Sequence, residues 1–226
     1  MKIAIEPMRE EDIPQVVKIE EQSFPTIWPA NAYKRELREN RLAHYIVAID
    51  RGSRPAAARR GSPRGVERQP QQGRNGASAL FRLIIRLLGK PETERRARTT
   101  SEEERRIVGY AGIWMMVDEA HLTTIAVSPE YRGHGIGELL LIRAMDLAME
   151  LNADVMTLEV RTTNRPAQAL YEKYRFAQVG FRRGYYVDTN EDALIMTTEN
   201  INTPSYRGLF EQLKRANAER LARSDG

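Results

Sequence analysis

The chain has 226 residues, 41% of them hydrophobic, enough for one domain or one domain with an appendage. It contains no cysteine, which excludes disulfides, zinc–thiolate sites and a cysteine nucleophile, and its three histidines (His44, His121, His134) form no metal-ligand pattern. The net charge of +4 is unevenly placed: residues 51–100 carry 13 Lys+Arg against 3 Asp+Glu, or +10, and the remainder carries 22 against 28, or −6.

In chain order, IAIEPM (3–8) reads as a strand, and Asp12 is placed to cap a helix over 13–22 whose Ile13, Val16 and Val17 share a face. A second helix is expected from Ala30 to Asn40, followed by the strand AHYIVAID (43–50). Residues 51–78 combine Arg, Pro, Gly, Gln and Ser with hardly a large apolar side chain, so they are expected to be disordered. ALFRLIIRLLGK (79–90) is a short apolar and basic helix candidate, and 91–105 is charged and loose. RIVGYAGIWMMV (106–117) and AHLTTIAVS (120–128) read as strands joined at Asp118-Glu119. A helix follows over 135–151 with Ile136, Leu140, Leu147 and Leu151 on one stripe, then a strand at 154–161 and a helix at 166–175. FAQVGFRRGYY (176–186) and DALIMTTE (192–199) form a closing hairpin, and a polar helix spans 204–223. Hairpins mixed with βαβ crossovers give an α/β domain with a mixed sheet. The expected organisation is a first part over 1–50, a basic insertion over 51–105 between the second and third strands, a second part over 106–199, and a helical tail over 200–226. No apolar run approaches the roughly 18 residues of a membrane span, and the N-terminus lacks the apolar core of a secretory signal. A cytoplasmic monomer without a metal is the expectation.

The stretch EYRGHGIGELLL (130–141) sets glycines at 133, 135 and 137 just before an apolar helix. Bare backbone at a strand-to-helix junction lets N–H groups approach an anion, to which the helix N-terminus adds its positive dipole end. The bland alternative is a tight turn that needs positive φ. The dinucleotide fingerprint does not fit, because it runs G-x-G-x-x-G on a first βαβ unit. A Walker loop does not fit either, because Gly137 is followed by Glu138 rather than Lys-Ser/Thr.

What fits is R/Q-x-x-G-x-G/A, filled by Arg132, Gly135 and Gly137 after the strand LTTIAV. This resembles the coenzyme A loop of the GNAT acetyltransferases. Together, EAHLTTIAVSPEYRGHGIG (119–137), TLEVRTTNRPAQALYEKYRF (157–176) and RRGYYVDTNEDALIM (182–196) resemble the RimI-type N-terminal acetyltransferases, which modify the N-terminal alanine of a small-subunit ribosomal protein. The resemblance covers roughly 1–50 and 106–199 and implies a GNAT acyl-CoA N-acyltransferase fold with acetyl-CoA as co-substrate. It implies coenzyme contacts at Arg132, Gly133, His134, Gly135, Ile136, Gly137 and Glu138, with the main chain of Ile125, Ala126 and Val127 along the pantetheine arm. It also implies a peptide clamp of Phe24 and Trp28 with Tyr185 and Tyr186, whose bland reading is ordinary packing.

Acetyl transfer needs a neutral amine, yet an α-amino group of pKa ~8 is mostly protonated near neutrality, so a positioned base is useful. Glu159 is the candidate, a carboxylate on the Val155–Thr157 face of an otherwise apolar strand, where it needs a partner or a solvated cleft. Its bland reading is an ion pair with Arg161. The resemblance assigns the base to this glutamate and the general acid to Tyr171, otherwise a core aromatic, with Tyr174 left to packing. Asn164 can cap the following helix, and in the family this asparagine also contacts coenzyme A. His121 is set aside as lying far from the coenzyme end of its strand. The acceptor is expected to be a protein N-terminus, with a lysine side chain or small amine as the enzymatic alternative and a CoA-binding or RNA-tethered module as the non-enzymatic one. For 51–105, a solvated loop without a partner is preferred over weak contact with a polyanion or an anionic membrane surface.

Overall fold

The computed structural model describes residues 1–25, 28–52 and 105–224. The disorder, the short helix and the surface contacts expected between Asp50 and Arg106 fall on residues outside those described, apart from the segment's ends. Seven strands form one sheet: β1 (Ile3–Pro7), β2 (Ala43–Asp50), β3 (Ile107–Met116), β4 (Glu119–Val127), β5 (Val155–Arg161), β6 (Phe176–Tyr186) and β7 (Glu191–Thr198). Their order is β1-β2-β3-β4-β5-β7-β6, antiparallel except for the β4–β5 pair. Five helices complete the described residues: α1 (Ile13–Ser23), α2 (Ala30–Glu39), α3 (Ile136–Glu150), α4 (Arg165–Lys173) and α5 (Pro204–Ser224).

Two apolar layers flank the sheet. On one side, Ile13, Val16, Trp28 and Tyr33 pack on Tyr45, Val47, Ile49 and Tyr110. On the other, α3 buries Ile136, Leu140, Leu141 and Met145 against Ile46, Ala48, Val108 and Leu158. Burying each such side chain is worth about 1.5–3 kcal/mol relative to exposure. The tail helix, left open by the sequence, docks on this second layer through Tyr206 and Phe210, both 2% exposed. Asp12 does not cap α1 with its side chain. Its carboxylate accepts the Arg9 N–H at 2.9 Å and faces Arg105 at 3.4 Å, closing the 3-10 turn before α1. Arg105 also pairs with Glu6 at 3.2 Å, so the folded unit resumes one residue before position 106.

Two irregularities in β4 position the site. Its pairing with β5 runs only from Glu119↔Val155 to Leu122↔Leu158, and beyond that point β4 stays with β3 while β5 turns to β7. The strands part, and the β5-facing backbone groups from Thr123 onward have no partner in β5. Second, the β3–β4 register jumps between Gly112↔Thr124 and Ile113↔Leu122, leaving Thr123 as the extra residue of a bulge. Because side chains alternate along a strand, one extra residue puts His121 on the same face as Thr124 and Ala126.

Candidate active site

The parting strands open a cavity of about 400 Å³ on the α1–α2 side of the sheet. Glu159 lies in its wall with its side chain 5% exposed. It shares a face with Thr157, which pairs with His121, so the His121 ring reaches it: Nε2 is 2.8 Å from Oε2. Oε1 lies 3.0 Å from an Arg182 guanidinium nitrogen, yet no donor among the described residues is aligned for a hydrogen bond to it. One carboxylate oxygen is thus held by the ring, and the other is buried against the Arg182 guanidinium. Arg161 does not pair with Glu159. It bonds Asp188 at 2.9 Å and Glu191 at 3.1 Å and stacks 4.0 Å over the Tyr186 ring.

Tyr171, carried by α4, reaches the cavity from the opposite layer through the gap between the strands. Its ring packs at 5.7 Å on Phe176, and burial pushes the phenol well above its ordinary value, so it is a protonated O–H at neutral pH. Tyr174 is different: its hydroxyl donates to the buried Glu138 at 2.7 Å, inside the packing between α3 and α4. Asn164 caps α4 by accepting the Ala167 N–H at 3.3 Å, and it also lines the cavity. The turn that delivers it is fixed by Glu191, which accepts from Thr162, Thr163 and Arg161; these bonds, led by the Thr163 hydroxyl, hold the Glu191 carboxyl down at about 2.

Phe24, Trp28, Tyr185 and Tyr186 all line the same cavity, and the Tyr186 hydroxyl donates to the Glu159 carbonyl at 3.4 Å. Ile125 lines it as well, whereas Ala126, Val127 and residues 132–138 lie outside its wall. In the loop, Gly133 and Gly135 adopt φ of 79° and 80°, the left-handed region that glycine tolerates, and Gly137 is already helical. The first intrahelical bond is Leu139 N–H to Gly135 C=O, so the amides of Ile136, Gly137 and Glu138 belong to the open end of α3. Arg132 braces the loop from the side, donating to the Val127 carbonyl and to Ser23 Oγ, both at 3.0 Å. His134 contacts the Arg132 carbonyl at 3.0 Å. The Glu138 side chain turns away from the loop: it binds Lys173 and Tyr174 on the α4 end and Arg220 on α5, the last at 3.0 Å. Any contact it makes to an anion at the loop is therefore through its backbone.

Sequence reasoning missed several wall residues. Trp114, Tyr33, Tyr45 and Glu20 extend the cavity toward α1 and α2, and His121 completes the pair with Glu159. His121, set aside in the sequence for its distance from the coenzyme end of the strand, is turned to Glu159 by the bulge. The rest sit on elements that meet only in the fold.

The family described as Acetyltransferase (GNAT) family matches residues 88–176. The putative [ribosomal protein bS18]-alanine N-acetyltransferase of Bacillus subtilis (strain 168) is 34% identical over 195 residues, spanning 86% of this chain and 94% of the relative. The chain belongs to the acetyltransferase (GNAT) family. The [ribosomal protein bS18]-alanine N-acetyltransferase of Escherichia coli (strain K12) is 39% identical over 93 residues, covering 40% of this acetyltransferase and 63% of the relative. The crystal structure of the ribosomal-protein-S18-alanine N-acetyltransferase from Escherichia coli shares the fold at a TM-score of 0.58 and 22% identity, over 87% of this chain and 93% of that one. GNAT acetyltransferases use acetyl-CoA, and this chain fits it. The unpaired β4 edge, the left-handed glycines and the open N-terminus of α3 together offer main-chain donors to a long, phosphorylated arm. Among the described residues no cluster of three or more His, Asp or Glu could hold a metal ion, and no helix is long and apolar enough to cross a membrane.

Proposed function

We propose that this acetyltransferase acetylates the α-amine of a protein N-terminus, with the N-terminal alanine of a small-subunit ribosomal protein as the first acceptor to test. One observation carries the reading: a buried carboxylate, held at one oxygen by His121 and facing Arg182 with the other, and a phenol from the opposite layer both line one cavity at a parted strand pair, walled by aromatic rings. Acetyl-CoA supplies the thioester whose acetyl group is moved. The amides of residues 133–138 would hold its diphosphate, and the backbone of Ile125, Ala126 and Val127, with Asn164, its arm. Glu159 takes a proton from the acceptor ammonium through Oε1, directly or through one water. Tyr171 gives its hydroxyl proton to the departing sulfur and is restored by the second proton that the nitrogen sheds as the amide forms. Phe24, Trp28, Tyr185 and Tyr186 confine the first residues of the chain so that its terminus, rather than a lysine, reaches Glu159. The names of the relatives in Bacillus subtilis and Escherichia coli support this acceptor.

The test uses peptides that begin with alanine, with a free or an acetyl-blocked N-terminus and an internal lysine. Transfer to the free peptide only is expected; equal transfer to the blocked one overturns α-amine specificity. Glu159→Gln and Tyr171→Phe should each lower kcat by ~10²-fold or more while acetyl-CoA binding by calorimetry is retained. Unchanged kcat in both would remove the assigned roles.

A further inference from the structure

The tail helix α5 lies outside residues 88–176, the stretch that the family matches, yet its C-terminal part reaches the glycine loop. The point where a Cβ on Gly135 would stand is 2.8 Å from Nη2 of Arg220 and 3.5 Å from its Nη1. Both terminal nitrogens of a guanidinium therefore lie against the loop backbone. A side chain at position 135 would push them away.

The surroundings of Arg220 fix its position and leave a surplus of positive charge. Nη2 donates to Oε2 of Glu138 at 3.0 Å, while the other oxygen of that carboxylate accepts from Lys173 and from the Tyr174 hydroxyl. Two cations thus meet one carboxylate beside the open N-terminus of α3. The anion sits inside, its side chain 10% exposed, and the cations face outward, Lys173 at 38% and Arg220 at 46%. Lys173 alone balances Glu138. Nor is Arg220 needed to seat α5, which Tyr206, Phe210 and Asn217 already bury against the body of the protein.

We propose that Arg220 binds the phosphates of coenzyme A, so that the tail helix takes a direct part in holding the acyl carrier. The inference rests on the reading of residues 133–138 as the seat of the diphosphate. Main-chain amides there donate hydrogen bonds but bring no full charge. Arg132, the cation within the motif, spends its guanidinium on the Val127 carbonyl and Ser23 Oγ. Arg220 supplies the missing charge from outside the motif. Its planar fork of N–H donors matches phosphate oxygens, and the bond to Glu138 holds that fork beside the loop before the ligand arrives.

The experiment compares Arg220→Gln, Arg220→Ala and Arg220→Lys with the parent chain. Arg223→Ala is the control for loss of charge near the same helix end, since that side chain is 78% exposed. Calorimetry gives the Kd for acetyl-CoA and for its 3′-dephospho form at two salt concentrations, and turnover gives the KM for S-acetylpantetheine, which has no phosphate. Arg220→Gln and Arg220→Ala should each weaken acetyl-CoA binding by ~10-fold or more, with Arg220→Lys recovering part of the loss. The difference from the parent should shrink at higher salt, and the KM for S-acetylpantetheine should not move. An equal loss with the dephospho form assigns the contact to the diphosphate, and a loss confined to acetyl-CoA assigns it to the 3′-phosphate. Unchanged acetyl-CoA affinity in Arg220→Gln overturns the proposal. So does an equal loss for S-acetylpantetheine, which would mean that α5 has merely loosened, or an equal loss in Arg223→Ala. If Arg220→Ala does not fold, Arg220→Gln, which keeps a polar amide near Glu138, decides by the same readings. A parent that favours acetyl-CoA no more than S-acetylpantetheine removes the loop's role and the arginine's with it. A parent that favours acetyl-CoA beside indifferent Arg220 variants removes the arginine's role alone.

Discussion

Glu20 is a carboxylate in the cavity wall, 5% exposed, whose partners are neutral: the Tyr33 hydroxyl at 2.9 Å and the Trp28 backbone N–H. Burial pushes its carboxyl up to about 7, and the two hydrogen bonds pull back only in part. The folded chain then holds a proton that the unfolded chain releases near pH ~4.5, so this group's stabilisation is complete below that pH and is lost as pH rises through about 7. Glu20→Gln should remove the slope. Between pH ~4.5 and ~7.5 the parent should lose up to about 3 kcal/mol more stability than the variant, measured by urea unfolding at several pH values. Parallel pH curves for the two proteins would contradict the burial argument. At the same scale, Glu159 stands out in the sequence as a charged residue in an otherwise apolar strand, whereas Tyr171 is singled out only by the family resemblance, since its local sequence reads as a core aromatic. His121 is set aside in the sequence because it lies at the end of its strand away from the glycine loop. Its partner lies 38 residues away, and strict alternation from Thr124 would have aimed the ring at the wrong face.

The strands and helices were read closely, because the near-continuous apolar runs of β2 and β3 and the stripe on α3 are strong signals. The Glu138 side chain is drawn away from the loop by element geometry. Side chains on a helix project toward its flanks, and this one serves as the junction of three helices through Lys173, Tyr174 and Arg220. Burial raises its carboxyl, yet those hydrogen bonds outweigh burial and hold it below its ordinary value. The same junction brings α5 over the glycine loop. A Cβ on Gly135 would meet Arg220 Nη2 at 2.8 Å and Leu221 Cδ2 at 3.1 Å, in a backbone conformation with φ of 80°. Gly135→Ala should therefore combine about 1 kcal/mol of backbone strain with displacement of α5 from the loop. Acetyl-CoA affinity should fall by ~10-fold or more by calorimetry, while Gly133→Ala, with open space around its Cβ position, should show the strain alone. Equal affinities for the two variants would mean that α5 does not shape the loop.

At the scale of the molecule, β2 and β3 pair across the long insertion, with the Asp50 N–H donating to the Arg106 carbonyl at 2.9 Å. The ends to be joined are adjacent, so a short glycine-containing turn can replace residues 53–104. Arg105 should be retained for its pairs with Glu6 and Asp12. Such a chain should keep the parent's kcat and KM for acetyl-CoA and a peptide; ribosome co-sedimentation that falls with the deletion would assign the basic segment a tethering role instead. Composition marks where the insertion begins and ends, but it carries no trace of the register that brings β2 and β3 side by side.

The parting of β4 from β5 makes the sheet a partition with a slot in it. The glycine loop leads into α3 on one layer, and the aromatic wall opens onto the slot from the layer of α1 and α2. Under the proposed assignment, donor and acceptor use separate doorways and meet only at the threshold. Selectivity among acceptors can drift through changes around α1, α2 and the β6–β7 turn while the grip on the thioester's carrier stays as it is.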